Sequence, residues 1–331
     1  NTIVNRLMSQ ILNRKNQLNV LATLRQITVP SSGNSGKSSA RATEMRAVDP
    51  TFSGYICPIH SPDNEKVGIN KNMALYATIT SASSSEFLRN IIMKDSEFIP
   101  LNKVRPEDIV KRNLCSVYVD GWWLGFIESS GKEAKDYHFA KKYRMKRRKG
   151  EIDPKTTIYW DYTEREISFW VNYGRMVRPL LIVYNSYDNP EKFPKGKFQQ
   201  DISIDVSIIN KIKEGKISFQ DLIDGGHIEW ISAMEQENML VACDHNKVLE
   251  HQHDKCKIFT HCEIIPQGVL GITTLVAAYG NHNQTPRVVF LTSQAKQTCG
   301  TFCLNWPYRI DKDTFLQYFD ETPLVRTLSN N

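Results

Sequence analysis

Asn281-His282-Asn283-Gln284-Thr285-Pro286-Arg287, with Lys296-Gln297 following nine residues after Arg287, is the stretch from which the rest of this chain can be read. Arg287 and Lys296 carry permanent charge suited to phosphate, and the planar guanidinium of an Arg grips two phosphate oxygens at once. The amides of Asn283, Gln284 and Gln297 both donate and accept, which suits a ribose or a base edge. Pro286 fixes one backbone dihedral directly before Arg287 and limits where that side chain can point. Taken alone, the same residues also describe a polar loop leading into a solvated helix. Just upstream, Val269 to Val276 is apolar enough for a buried helix despite its β-branched members. Such a helix would bring the polar loop to the surface at the end of a rigid support.

Working outward, further motifs occur in order. They begin with Leu12-Asn13-Arg14 and Leu24-Arg25. Next comes Arg46-Ala47-Val48-Asp49-Pro50, running on through Gly54-Tyr55-Ile56-Cys57-Pro58-Ile59-His60-Ser61-Pro62 to Gly68 and Lys71-Asn72. Val119-Asp120-Gly121-Trp122-Trp123, Gly174-Arg175-Met176-Val177-Arg178-Pro179-Leu180 and Phe259-Thr260-His261-Cys262-Glu263-Ile264 follow. This collinear set resembles the second-largest, β-like subunit of multisubunit DNA-dependent RNA polymerases. The stretch around Arg287 and Lys296 resembles that family's HNQ-S/T-PR…KQ motif, and Gly174 to Leu180 its GRxxRPL. The segment around Cys57 is similar to its GxxCPxETPEGxxxGLxKN. The wording of Trp306-Pro307-Tyr308-Arg309 and Pro323-Leu324-Val325 most resembles the versions of large DNA viruses.

Departures from the pattern are local. Where the family usually has Glu-Thr-Pro-Glu-Gly, this chain has His60-Ser61-Pro62-Asp63-Asn64. One acid is lost, one is shortened, and a turn Gly is replaced by Asn, the next-best residue for a left-handed turn. The acid common before His282 is Asn281. The family's later acidic pair, the lysines beside its catalytic metal and its zinc-bearing anchor have no counterpart between Asn1 and Asn331. The resemblance therefore implies a central piece of the subunit that does not polymerise RNA alone.

Composition sets looser bounds. At 331 residues the chain exceeds the size at which single cores divide, so two to four modules are expected. A hydrophobic content of 40% supports real cores, and a net charge of +6 is a mild basic bias that fits a nucleic-acid partner without requiring one. No apolar run approaches ~18 residues, so no membrane-spanning helix is expected. The start of the chain has no signal-peptide core. The seven cysteines lack paired close spacing, and Cys57, Cys115, Cys243 and Cys256 read as isolated buried thiols. His251-x-His253-x-x-Cys256, with His261-Cys262 behind it, is the one metal candidate, but it lacks the two ligand pairs of a zinc site. Cys299 and Cys303 share one helix face and read as core packing.

Along the chain, Ile3, Leu7, Ile11, Leu12, Leu18, Leu21 and Leu24 recur near the helical period, predicting a helix from 1 to about 28. Ser31 to Ser39 is a polar loop whose glycines have the wrong spacing for a phosphate-binding loop. By position it resembles the family's second fork loop. Strands are expected at Leu114–Val119, Tyr159–Asp161, Ile167–Val171 and His227–Ile231, with a turn at Asp120-Gly121, and Leu180 to Val183 is a short apolar run. A helix is expected around Ser207 to Leu222, and an exposed turn from His245 to Lys255. Lys141 to Lys149 is the densest charge run, read as an amphipathic helix with solvated cations rather than a nucleic-acid patch.

The expected architecture is α+β and multi-module. It comprises a fork region (1–80), a first external module (81–185), a second (186–258) and the start of a hybrid-binding domain (259–331). By resemblance, Arg287 contacts the nucleotide triphosphate, Lys296 and Gln297 the backbone of the RNA–DNA hybrid, and Arg46 nucleic acid near the fork. Asn283 and Gln284 complete the nucleic-acid-binding set. Mg2+ would serve the assembled enzyme, held by the largest subunit and not by this chain. The implied partners are that subunit, the remaining part of the β-like subunit, template DNA, nascent RNA and ribonucleoside triphosphates. The implied location is intracellular: host cytoplasm or virion for a viral source, nucleus or cytoplasm otherwise. Two alternatives stand beside this reading, a non-catalytic docking module and a stand-alone nucleic-acid-binding protein. The second predicts salt-sensitive binding to free duplex.

Overall fold

In the computed structural model, residues 12–28, 44–62, 64, 66–81, 83–111, 113–128, 135–187, 193 and 198–298 are described. The polar loop at 31–39, Cys299, Cys303 and the motifs beyond them lie outside these residues, as does Asp63. The chain divides into two units, one drawn from residues 1–47, 59–72 and 272–331, the other from 48–58 and 73–271.

In the first unit, helix α1 (Gln17–Leu24) opens on Asn16, whose side chain accepts from the Asn19 amide at 2.7 Å. That bond satisfies one of the donors a helix start leaves without an internal partner. The expected helix through residue 28 stops early. Gln26–Thr28 forms strand β1, antiparallel to β2 (Asn70–Asn72). The β-branched Ile27 and Thr28 favour that exchange, and the partner strand lies too far along the chain for helical periodicity to register it. Two more helices follow, α9 (Ile272–Leu275) and α10 (Thr285–Gln297). The amide of Asn16 donates to Ala295 O at 2.8 Å and Thr298 O at 2.7 Å, so the start of α1 caps the end of α10.

The second unit holds two sheets. The first has the order β4-β6-β5-β8-β7, from β4 (Phe98–Pro100), β5 (Leu114–Val119), β6 (Trp122–Glu128), β7 (Thr157–Asp161) and β8 (Glu166–Trp170). Cys115, Val117 and Val119 alternate inward along β5, as a half-buried strand requires. Asp120 and Gly121 have φ of 49° and 79°, the two successive left-handed residues of a tight hairpin turn. Helix α2 (Ser85–Met93) contributes Leu88 and Ile92 to the core, and α4 (Lys135–Arg148) contributes Phe139 and Tyr143. A short helix, α3 (Pro106–Lys111), precedes β5.

The second sheet is built on β9 (Met176–Asn185), which pairs with β3 (Thr78–Ile79), β10 (Gln200–Ile202), β11 (Ile228–Ser232) and β13 (His261–Cys262). Strand β12 (Val241–Ala242) adds in parallel to β13. Successive residues of β9 are buried, so both of its faces are covered, and the strand reads as a continuous apolar run instead of an alternating one. The expected helix at 207–222 is two, α5 (Val206–Lys213) and α6 (Phe219–Asp224). Gly215 at φ 70° separates them, and Ser218 with Asp221 forms a capping box that starts the second. A four-residue helix, α7 (Ala233–Gln236), follows β11.

Two further expectations need correction. His245–Glu250 is helical (α8) rather than a turn, because Asp244 accepts from the His245 amide at 2.7 Å and starts it. The apolar run from Val269 to Val276 is not one buried helix. A 3-10 turn at Pro266–Val269 is followed by extended Leu270, and only Ile272–Leu275 is α-helical. Leu270 O accepts from Leu75 N at 2.8 Å, a tertiary bond that takes the carbonyl out of any helix ladder. Of the four thiols expected to be buried, Cys57 and Cys115 are, whereas Cys243 and Cys256 are exposed.

Candidate functional site

The quoted motif enters helix α10. Tyr279, at φ 50°, turns the chain left-handed before a short 3-10 turn at Gly280–His282. Asn283 Nδ2 donates to Tyr279 O at 2.9 Å and braces that turn. Gln284 occupies the helix N-cap and Pro286 lies in the first turn, where its missing N–H costs nothing. Arg287 lies in that same turn and is exposed. Its side chain has no hydrogen bond or ion pair among the described residues, and the guanidinium carbon is 5.8 Å from the centre of the Phe290 ring on its own helix. It opens onto a concavity of about 400 Å³ lined by Asn283, Arg287, Val288, Phe290, Leu291 and Gln294. Among the described residues the wall supplies donors and apolar surface and no carboxylate, a set suited to an anion rather than a divalent cation. The positive end of the α10 dipole adds to that preference.

Lys296 does not join Arg287. Nine residues of α-helix separate them by about 13 Å along the axis and roughly half a revolution around it. Lys296 Nζ instead donates to His60 Nε2 at 2.7 Å. His60 is buried, and burial together with the Lys296 charge pushes its imidazole down to about 4, so it is neutral near pH 7 and can accept the bond. Burial in turn lowers Lys296. The remainder of the His60 loop is closed by Asn72 Nδ2 donating to His60 O at 3.0 Å and by the Asn64 side chain accepting from Lys66 N at 2.9 Å. Arg46 is half-buried, its Nη1 donates to Val67 O at 2.7 Å, and its backbone lies where a Cβ on Gly68 would press. Gln297 is exposed at the end of α10. Among the six candidate residues, the structure groups Asn283 and Arg287 at one concavity and places Lys296 against His60.

Other motif residues hold the second unit together. Arg178 bonds Glu263 through Nη1 and Gln236 through Nε at 3.1 Å and Nη2 at 2.7 Å, and it lies 5.2 Å from the Tyr55 ring centre. Gly54, at φ 80°, leaves no room for a Cβ because the Arg178 guanidinium fills the space. Arg175 donates to Lys155 O at 3.1 Å and Asn172 O at 3.0 Å.

The basic run overturns the expectation of solvated cations. Arg147, on α4, is fully buried between two acids from β11 and α7. It reaches Glu229 through Nε at 2.9 Å, and Glu235 through Nη1 at 2.9 Å and Nη2 at 2.7 Å. Its Nη1 also donates to Thr156 O. Arg148 pairs with the other Glu229 oxygen at 2.8 Å, and His261 Nε2 meets the same oxygen at 3.2 Å. Burial alone would raise Glu229, but the charges of Arg147 and Arg148 outweigh it and hold the carboxyl well below its usual range. Burial would likewise lower Arg147, yet Glu229 and Glu235 raise it. His261 is lowered chiefly by burial and serves as a neutral donor to Glu229. Glu229 and Glu235 carry no sequence signal of this role, since they lie more than eighty residues from Arg147.

Comparison with known proteins follows the same order along the chain. Residues 10–79 match the family model for RNA polymerase Rpb2 domain 3, 117–184 domain 4, 219–266 domain 5 and 273–331 domain 6. The chain belongs to the Rpb2 family, the second-largest subunits of DNA-directed RNA polymerases. Among its relatives, the polymerase subunit Rpo2 of Sulfolobus acidocaldarius is 30% identical over 97% of this chain. The RNA polymerase II subunits RPB2 of Encephalitozoon cuniculi and Schizosaccharomyces pombe are 28% and 27% identical, over 97% and 99%. The chain spans 26% of the length of the first two and 28% of the third. Within this Rpb2-family segment, the α+β architecture agrees with the fold expected from the motifs. Among the described residues, no helix is long and apolar enough to cross a membrane, and no three His, Cys, Asp or Glu side chains gather as a metal set.

Proposed function

We propose that this segment works as part of the second-largest subunit of a DNA-directed RNA polymerase, positioning nucleic acid and the incoming ribonucleotide for nucleotidyl transfer. Mg2+ is held by the largest subunit in this reading. The observation that carries it is Arg287: among the described residues, an exposed cation without an ion pair, at the mouth of a concavity with no acid in its wall. Arg175 and Arg178, by contrast, are engaged within the fold. Phosphoryl transfer asks a protein chiefly for positioning and charge stabilisation, so an available fork of donors is the relevant chemistry. Arg287 takes the triphosphate, with Asn283 and Gln284 beside it on the ribose or base edge. Gln297 and Lys296 face the hybrid backbone, Lys296 after release from or alongside His60, and Arg46 lies near the fork. Template DNA, nascent RNA, the largest subunit and the rest of the β-like subunit are the partners, inside the cell. The wording at 306–309 and 323–325 supports a source among large DNA viruses, with host cytoplasm or virion as the site of action.

The test is single-nucleotide addition on a preformed elongation scaffold by the assembled enzyme, across nucleotide concentrations. Arg287→Ala should lower kcat/KM by about one to two orders of magnitude, the worth of a charge-assisted hydrogen bond, with template binding little changed. Arg287→Lys should recover only part of the loss, because a point charge lacks the bidentate fork. Wild-type kinetics in the alanine variant would remove Arg287 from the site.

A further inference from the structure

A second concave surface lies wholly within the 73–271 unit, apart from the Arg287 motif. It has a volume of about 570 Å³, within the range of ligand sites. One wall is a helical stripe of α4, in which Tyr137, Lys141, Arg144 and Arg148 recur at helical spacing, with Lys149 just beyond the helix end. Among the described residues, no Asp or Glu lines it. Counting the Arg147, Glu229 and Glu235 network beneath and leaving Lys141 aside, Arg144, Arg147, Arg148 and Lys149 face two carboxylates among the described residues.

Two of these cations are held in place before any ligand arrives. Arg148 is fixed by Glu229 through Nε and Nη2, and Arg144 lies 3.5 Å from Glu235 without hydrogen-bond geometry, leaving its buried Nε unpartnered. Lys149 is exposed and has no side-chain partner among the described residues. Such preorganisation lowers the ordering cost of binding. The rest of the lining is mixed: Trp160, Tyr162, Met145 and Met239 give apolar surface, beside the polar Asn185 and Asn238. The rings pack on each other, Trp160 being 5.4 Å from Tyr137 and 6.2 Å from Tyr162 at interplanar angles of 60° and 53°. They therefore offer tilted edges and no parallel slot for a stacked base. Methionine beside aromatic edges suits a flexible fit to an apolar side chain.

We propose that this cleft docks an acidic peptide segment of a partner protein, with one aromatic or aliphatic side chain seated between Met145, Met239 and Tyr162. The flanking carboxylates meet Arg144, Arg148 and Lys149. The test is fluorescence anisotropy of a short labelled peptide of Asp and Glu around a single Phe, titrated with the full 331-residue chain. Saturable binding is expected, weakened about tenfold by Lys149→Glu and left unchanged by Lys213→Glu, an exposed cation on α5 outside the cleft. A peptide with Ala in place of Phe should bind several-fold more weakly. Absence of saturable binding, equal loss with Lys213→Glu, or indifference to the Phe would overturn the proposal. So would displacement of the peptide by a single-stranded oligouridylate at equal charge, which would make the cleft a nucleic-acid site. None of these outcomes depends on Arg287.

Discussion

Helix α4 carries the densest positive charge in the chain, whereas α10 carries only Arg287 and Lys296, and the two use their cations in opposite ways. On α4 the central cation, Arg147, is sealed between Glu229 and Glu235. On α10, Arg287 is exposed and without an ion pair among the described residues, while Lys296 is committed to a neutral imidazole. Charge density along a sequence therefore says little about which cation is available. Availability is decided by partners that arrive from other elements.

The comparison breaks most sharply at Arg147. Arg147→Ala should cost about 3–5 kcal/mol in stability, because it strands two buried carboxylates. Chemical denaturation measures this, and a loss below about 1 kcal/mol would mean the acids find water or protons instead. Replacing Arg147, Glu229 and Glu235 together by apolar residues should recover much of the loss.

A second test concerns His60 and has a defined sign. Its folded pKa, about 4, lies below the ordinary value of 6.5, so between those limits the unfolded chain binds a proton that the native state refuses. Stability from this group is complete above pH 6.5 and is lost as pH falls toward 4, by at most about 3 kcal/mol. Comparing denaturation midpoints at pH 4.5 and 7 should show this dependence reduced in His60→Gln. An unchanged slope would assign the acid sensitivity elsewhere, His261 being the other imidazole lowered by burial.

Arg287→Ala should reverse the pattern of Arg147→Ala. Stability should move by no more than about 0.5 kcal/mol, while nucleotide use by the assembled enzyme falls about ten- to a hundredfold. The smallest effect is expected at Lys149→Ala, which should leave both stability within about 0.5 kcal/mol and nucleotide addition unchanged. A large stability loss there would mean that Lys149 is engaged within the fold.

Much of the fold was legible where the signal is local. Cys115, Val117 and Val119 alternate, and Asp120-Gly121 marks its turn, so β5 was readable from residue types alone. The same holds for β7, β8 and β11. What was illegible depends on distant pairing or on single capping bonds: β1 is recruited by residues 70–72, and α8 is started by Asp244. At the candidate site, resemblance singled out Arg287 and Lys296, but not that half a helical revolution separates them. His60 was visible only as an unusual residue, since nothing in the sequence joins it to Lys296. Arg147 was misread because its neighbours in sequence are cations, while its neighbours in space are acids from β11 and α7.

Strand β9 carries a consequence for the order in which the chain becomes structured during synthesis. All five strands of the β4–β8 sheet lie between Phe98 and Trp170, so that sheet can close as soon as those residues leave the ribosome. By contrast, β9 emerges next but must wait for β11 and for β13, which ends at Cys262. At about 5–20 residues per second, that wait lasts roughly 4–15 s, and at its start a long apolar strand has only β3 already made to pair with. Translation speed across 186–262 should therefore govern the yield of this chain more than speed anywhere before it.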